Sequence, residues 1–162
     1  MKLVRLPQRL KTISEYIDYN DTVIDVGTDH GKLPVYLAQI NPKRVIMATD
    51  ISANSLKAAF LTAEKYALTK NIDFLVTSGL KNIDLSLFNT IIIAGLGGET
   101  IVEILSDIKW QKNGRKKLIL QPQSKTNKLC RFLYNNHYNI IDIKTILDNK
   151  REYTIMNCSK GG

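Results

Sequence analysis

Two acidic residues, each closing an apolar run, give the chain its chemical focus. Val23-Ile24-Asp25-Val26 leads into Gly27-Thr28-Asp29-His30-Gly31, and Arg44-Val45-Ile46-Met47-Ala48-Thr49 ends in Asp50, which lies 23 residues after Gly27. An apolar run ending in an acid and a glycine, with helical periodicity resuming at Leu33-Pro34, reads as strand, turn and helix. In a parallel α/β sheet the ligand crevice lies beyond the carboxyl ends of the strands, and glycine lets the backbone approach a ligand there. A carboxylate at the end of the next strand, roughly 20 residues past the glycine turn, is suited to accept hydrogen bonds from ribose hydroxyls. Together they predict a nucleotide-like ligand over Gly27 with its ribose on Asp50. The other use for Asp50 is as a cap for the helix that follows, a task Ser52 serves as well.

A third focus is Ala94-Gly95-Leu96-Gly97-Gly98, which opens a helix. Three glycines in four positions clear side chains from the rim where a substrate base and the nucleotide would meet. A glycine loop at a helix amino terminus fits a phosphate equally. No Lys-Ser or Lys-Thr pair follows, which argues against triphosphate chemistry, and the first turn lacks the third glycine of a dinucleotide fingerprint. Cys130 and Cys158 have neither metal-ligand spacing nor a disulfide pattern, so no metal is expected and a reducing compartment is.

These residues need a scaffold, and the periodicities supply one. A leading helix is predicted over residues 6–19, with Pro7 in its first turn. Strands follow over 22–26, 44–50, 71–76, 89–94 and 116–121, with helices over 32–40, 53–68, 99–106 and 125–135 between and after them. Two closing strands over 137–146 and 152–157 flank a hairpin turn at 148–150. The result is an α/β sheet of seven strands, parallel at first and finished by a hairpin. With 162 residues and 44% hydrophobic content, one domain with a sizeable core is expected. The 23 basic and 15 acidic residues leave a net charge of +8, which suits a polyanionic partner such as nucleic acid. A solvated basic surface accounts for the composition equally well. No signal-like segment or run of about 18 apolar residues is present, so a soluble cytoplasmic protein is expected, not one in a membrane.

Over nearly its whole length the chain resembles the bacterial tRNA (adenine-22-N1)-methyltransferases, the TrmK family. The resemblance is carried by Arg9-Leu10 with Ile13 and Tyr16-Ile17, Asp25-Val26-Gly27-Thr28-Asp29-His30, Leu33-Pro34, Asp50-Ile51, Gly79-Leu80, the Ala94 to Gly98 loop, and Leu118-Ile119-Leu120-Gln121-Pro122. It implies a Rossmann-like methyltransferase sheet, mostly parallel with the last strand antiparallel, behind an N-terminal helix. It further implies S-adenosylmethionine as cofactor and tRNA as substrate. On that pattern Asp25, Gly27, Thr28, Asp50, Ile51, Ser78, Gly79, Ala94 and Gly95 are expected around the cofactor. Leu96, Gly97 and Gly98, with the cations Arg5, Arg9 and Lys32, are expected at the substrate. Two departures stand out: Ser78 occupies a place usually acidic in the family, and these 162 residues do not include the family's helical carboxyl-terminal domain, so one methyltransferase domain over 1–162 is expected.

Adenine N1 has a free lone pair and attacks a sulfonium methyl without prior deprotonation. The protein must supply alignment and a hydrogen-bond acceptor or negative charge near the base as it becomes cationic. Asp29 and His30, just past the first strand, are the candidates; Asp29 fits the methionine ammonium as well. The Ala94 to Gly98 loop lacks the polar, proline and aromatic residues common in exocyclic-amine methyltransferases, which favours a ring nitrogen. A monomer without a metal is expected. The alternatives are a methyltransferase for another RNA or a small molecule, and a non-catalytic RNA-binding domain.

Overall fold

The apolar runs become the centre of a single seven-stranded sheet in the computed structural model, which describes residues 2–161. The elements in chain order are α1 (Gln8–Glu15), β1 (Val23–Val26), α2 (Lys32–Ile40), β2 (Ile46–Asp50), α3 (Ala53–Lys65), β3 (Asp73–Val76), β4 (Thr90–Leu96), α4 (Gly98–Ser106), α5 (Trp110–Asn113), β5 (Lys116–Pro122), α6 (Thr126–Asn135), β6 (Asn139–Asp148) and β7 (Arg151–Lys160). The spatial order is β3-β2-β1-β4-β5-β7-β6. The first five are mutually parallel, and β7 runs antiparallel to both its neighbours. The strand order reverses between β1 and β4, which opens a crevice at their carboxyl ends.

Helices cover both faces, so the central strands read as unbroken apolar runs. Ile91 and Ile93 pack on one side with Ile101 and Leu105 of α4 and Leu129 and Leu133 of α6. Ile92 points the other way, into a layer with Ile13 of α1, Leu33 and Leu37 of α2 and Ala63 of α3. Each of these isoleucines is fully buried, a contribution of roughly 2 kcal/mol apiece.

The first helix is held by the last strands. The Tyr16 hydroxyl donates to Asp142 of β6 at 2.6 Å, and burial together with that carboxylate pushes its pKa up. The Arg9 amide donates to Asp148 at 3.3 Å. At the opposite, amino-terminal edge of the sheet, Lys117 of β5 donates to Asp21 at 2.7 Å and Asp18 at 3.0 Å.

Several boundaries differ from the sequence expectation. α1 stops at Glu15 rather than at residue 19, because the Tyr16 and Ile17 amides turn back to Ile13 and Ser14 and the chain bends toward Asp21. α3 ends at Lys65 instead of 68: Ala67 adopts φ +58°, with its amide on Glu64 and that of Leu68 on Ala63. Those two bonds close a left-handed helix terminus that glycine usually makes. The short α5, absent from the sequence expectation, is anchored by Trp110, whose indole N–H donates to the Tyr138 hydroxyl at 2.9 Å. The last strands extend further than expected, so Asp148 belongs to β6 and the turn is Asn149-Lys150, both with positive φ, as a two-residue hairpin of matching twist requires.

Candidate functional site

The carboxyl ends of β1 to β4 surround a cavity of about 610 Å³. Its floor is the turn after β1. Gly27 has φ +74° and Gly31 φ +71°, a conformation costly for residues with a Cβ. The Gly27 and Thr28 amides both donate to the Thr49 carbonyl at 2.9 Å, tying the turn to β2. Asp29 also takes a left-handed conformation, φ +54°, and its amide donates to Asp50 Oδ2 at 3.0 Å. Asp50 Oδ1 accepts from the Ser52 amide at 3.0 Å, while Ser52 itself caps α3 by accepting from Ser55. Asp50 therefore joins the first turn to the second. Each of its oxygens has a second lone pair for a ligand hydroxyl.

Asp25 lies beneath this turn, 5% exposed, and accepts from the Thr28 hydroxyl at 2.8 Å. Burial pushes its carboxyl up to about 7; the Thr28 hydrogen bond and the Arg9 charge pull the other way, and Asp50 adds to the rise. Asp29 and His30 are exposed at the mouth, with Nε2 of His30 3.9 Å from Oδ1 of Asp29. That is too long for a hydrogen bond, so Asp29 does not orient the imidazole.

Most of the expected residues converge here. Arg9, Asp25, Gly27, Thr28, Asp29, His30, Lys32, Asp50, Ile51, Ser78, Gly79, Ala94, Gly95 and Leu96 all line the cavity. Ile51 is 75% exposed, an apolar surface beside the Asp50 carboxylate. Arg5 does not line the cavity; it is exposed on the segment leading into α1. Gly97 and Gly98 also lie outside it. A Cβ on Gly98 would come within 2.5 Å of the Lys125 carbonyl, and the Gly98 amide donates to the Ser124 carbonyl at 2.7 Å. Gly97 faces the Ser124 hydroxyl, 3.2 Å from where its Cβ would be. These two glycines let α4 dock against the loop before α6, and neither contributes to the lining of the cavity. The bond to Ser124 also removes Gly98 as a phosphate donor.

Gly95 keeps its place at the rim. Its φ is +75°, and a Cβ there would meet nothing closer than 4.0 Å. Its amide donates to Oε1 of Gln121 at 3.1 Å, and Nε2 of that fully buried glutamine donates to the Pro122 carbonyl. The sequence marks Gln121 as the end of an apolar strand and as part of the stretch that carries the resemblance, without a role at the site. Lys81, Thr100, Glu103, Asp107 and Gln123 line the cavity as well, although the sequence reading gave them no role. For Glu103 and Asp107 a signal exists in their four-residue spacing on the helix that follows the glycine loop. Among the described residues no cluster of three or more His, Cys, Asp or Glu is arranged to hold a metal, and no helix is long and apolar enough to cross a membrane.

Comparison with known proteins gives a consistent picture. A methyltransferase-domain family model matches residues 6–156. The tRNA (adenine(22)-N(1))-methyltransferase of Bacillus subtilis is 30% identical over 161 residues, which span 99% of this chain and 68% of that protein. The crystal structure of the B. subtilis M1A22 tRNA methyltransferase TrmK superposes with a TM-score of 0.86 at 28% identity, covering 98% of this chain and 68% of that one. M. capricolum TrmK, solved with S-adenosyl-homocysteine, matches with a TM-score of 0.84 at 29% identity, covering 96% and 69%.

Proposed function

Because the chain belongs to the bacterial tRNA (adenine-22-N1)-methyltransferase family, we propose that it transfers a methyl group from S-adenosylmethionine to N1 of an adenine in tRNA, at position 22. The observation that carries this is the Asp50 carboxylate, keyed by two backbone amides across the mouth of a glycine-floored cavity. The donor set fits the cofactor. Asp50 offers free lone pairs to ribose hydroxyls, Ile51 an apolar surface to adenine, and Ser78 and Gly79 a small-residue wall beside it. Gly27, Thr28 and Ala94 leave the backbone open along the cavity, and Asp25 offers a carboxylate to a methionine ammonium.

The cofactor supplies an electrophilic methyl group on a sulfonium sulfur. The chain's own residues have three tasks. Gly95, held by Gln121, leaves room for a base to approach in line, and Leu96 gives that base an apolar neighbour. Asp29 places negative charge beside the amidine edge as it gains positive charge, and His30 lines the same approach. Arg9 and Lys32 meet the incoming phosphates. No general base is required, because the attacking nitrogen carries no proton. N1 lies on the Watson–Crick edge, so a paired target must first be opened, at a cost of roughly a few kcal/mol that a loop or loop margin reduces. We take the working form to be a cytoplasmic monomer without a metal ion, in which one domain carries the reaction.

Incubation with an unmodified tRNA transcript and S-adenosylmethionine, followed by mass-spectrometric mapping of nucleosides, tests the reaction. The expected product is a single N1-methyladenosine at position 22. Methylation of a different atom or position, or none, overturns the assignment.

A further inference from the structure

The basic charge is unevenly distributed. Residues 108–141 hold eight of the 23 basic residues and none of the 15 acidic ones, so the rest of the chain is balanced at 15 and 15. The whole net charge therefore resides in one stretch. Part of it is spent internally: Lys116 is buried, and Lys117 is bonded to Asp18 and Asp21. Lys109, Lys112 and Arg115 are exposed around α5, and what reaches the surface beside the cavity is the start and outer face of α6.

α6 buries Leu129 and Leu133 against the sheet and turns Asn127, Lys128, Arg131, Tyr134 and Asn135 to solvent. Positions 127, 128, 131, 134 and 135 form one stripe of a helix. Tyr134 is 80% exposed, and no buried neighbour explains an aromatic there. Lys125, just before the helix, lines with Lys128 and Arg131 a shallow hollow of about 520 Å³. One acid enters that hollow: Glu99, 3.2 Å from Lys128, with both side chains more than half exposed. Lys125 and Arg131 have no ion-pair partner among the described residues. The helix is fixed to the site, since the Gly98 amide bonds the Ser124 carbonyl at 2.7 Å and the Gln123 amide bonds the Leu96 carbonyl at 2.8 Å. The stripe thus starts beside the substrate rim and runs away from it down the flank.

Resting on the tRNA substrate proposed above, we infer that this stripe is a docking track for the substrate's RNA, on which Lys125, Lys128 and Arg131 bind backbone phosphates and Tyr134 stacks on an unpaired base or sugar face. Cations interleaved with an exposed aromatic on one face are the chemistry of a nucleic-acid surface: phosphate contacts set affinity and register, and stacking adds a contact indifferent to salt. An anionic protein would satisfy the cations as well; the exposed aromatic on the same face favours RNA, in which every unpaired base has a flat face to stack. Because the track is bolted to the Leu96 to Gly98 loop, RNA bound along it is held in fixed register with the mouth.

The test is tRNA binding by the full chain as a function of salt, with three variants. Lys128→Gln/Arg131→Gln removes two charges from the track. Lys43→Gln/Lys70→Gln removes two exposed charges at the amino-terminal edge of the sheet, the opposite pole from the cavity. S-adenosylmethionine affinity, measured in parallel, reports that each variant is folded. The track pair is expected to weaken tRNA binding about tenfold near physiological salt and to flatten log Kd against log salt by about 1 to 2, while the polar pair stays within about twofold of wild type. Tyr134→Ala is expected to weaken binding roughly fivefold with the slope unchanged. If the two charge pairs behave alike, the track is overturned while the tRNA assignment stands. If the wild-type chain itself fails to bind tRNA in a salt-dependent way, the substrate assignment falls and the track with it. An unchanged Kd for Tyr134→Ala overturns the stacking role.

Discussion

The turn after β1 and the turn after β4 are built from the same residue type and do opposite work. Each has one glycine that faces the cavity with positive φ, Gly27 and Gly95, and one that a packed neighbour excludes from bearing a side chain, Gly31 and Gly98. A Cβ on Gly31 would lie 2.7 Å from that of Ala59, and one on Gly98 would lie 2.5 Å from the Lys125 carbonyl. The difference is in what surrounds them. The first turn is ringed by carboxylates, with Asp25 below, Asp29 at the lip and Asp50 across from it. The second turn presents no ionisable side chain between Ala94 and Gly98 and is fixed by the neutral Gln121 amide. One turn is suited to the hydroxyls and ammonium of a polar cofactor, the other to a flat base that must slide close without competing hydrogen bonds.

The sharpest way to break that comparison is to add the missing methyl group to each glycine of the second turn. Gly98→Ala should lower stability by about 3 kcal/mol, the upper part of the range for overpacking, because its Cβ meets backbone that cannot rotate away. Gly95→Ala should cost about 1 kcal/mol, for the left-handed conformation alone, yet reduce turnover by more than it reduces stability. Denaturant unfolding and single-turnover methylation measure the two. Equal stability losses would show that the two glycines share one role.

A slightly smaller effect is expected at the lip of the first turn. Asp29→Ala should slow transfer about 100-fold at saturating cofactor and tRNA, the scale for loss of one electrostatic stabiliser. Asp29→Asn, which keeps an acceptor without the charge, should be milder. If Asp29 instead holds the methionine ammonium, both variants lose cofactor affinity first and saturating cofactor restores the rate. A wild-type rate for Asp29→Ala would assign the transfer-step charge elsewhere.

The smallest effect belongs to Asp25. Its folded pKa of about 7 lies above its ordinary value of 3.8. The folded state therefore holds the proton more tightly, and stability falls as pH rises between about 4 and 7 and levels off above that. A cofactor ammonium reverses the preference by favouring the carboxylate. S-adenosylmethionine affinity should therefore rise severalfold from pH 6 to pH 8, and the same titration on Asp25→Asn should be flat. An unchanged slope in the variant would remove Asp25 from the contact.

The contrast between the turns also marks what the sequence made visible. Asp25, Gly27 and Asp50 were legible because strand period and glycine act within a few residues, and the second carboxylate follows at the fixed interval that one strand-helix-strand unit imposes. The topology was legible for the same reason, since apolar strands alternating with helical stripes leave few arrangements. The purpose of Gly98 was not, because its neighbour is Lys125, brought near only by the packing of α4 on α6. The role of Gln121 was not legible either, because its partner Gly95 lies on the neighbouring strand, 26 residues earlier in the chain. The end of α3 was missed because Ala67 took a conformation for which glycine is the usual signal. For Gly98 and Gln121 the missing information was a contact with another element; for Ala67 it was a local conformation that alanine does not announce.

One consequence follows from the docking of α1 on β6 and β7. Arg9 and Leu10 wall the cavity, but the bonds that hold their helix come from Asp142 and Asp148, more than 120 residues later in the chain. During synthesis the five parallel strands emerge first, and α1 is held by its packing on α2 and by the Lys117 bond to the Tyr16 carbonyl until β6 and β7 add Asp142 and Asp148. The wall that Arg9 and Leu10 give the cleft is therefore fastened only when β6 and β7 join the sheet, and its final position reports that the sheet is complete.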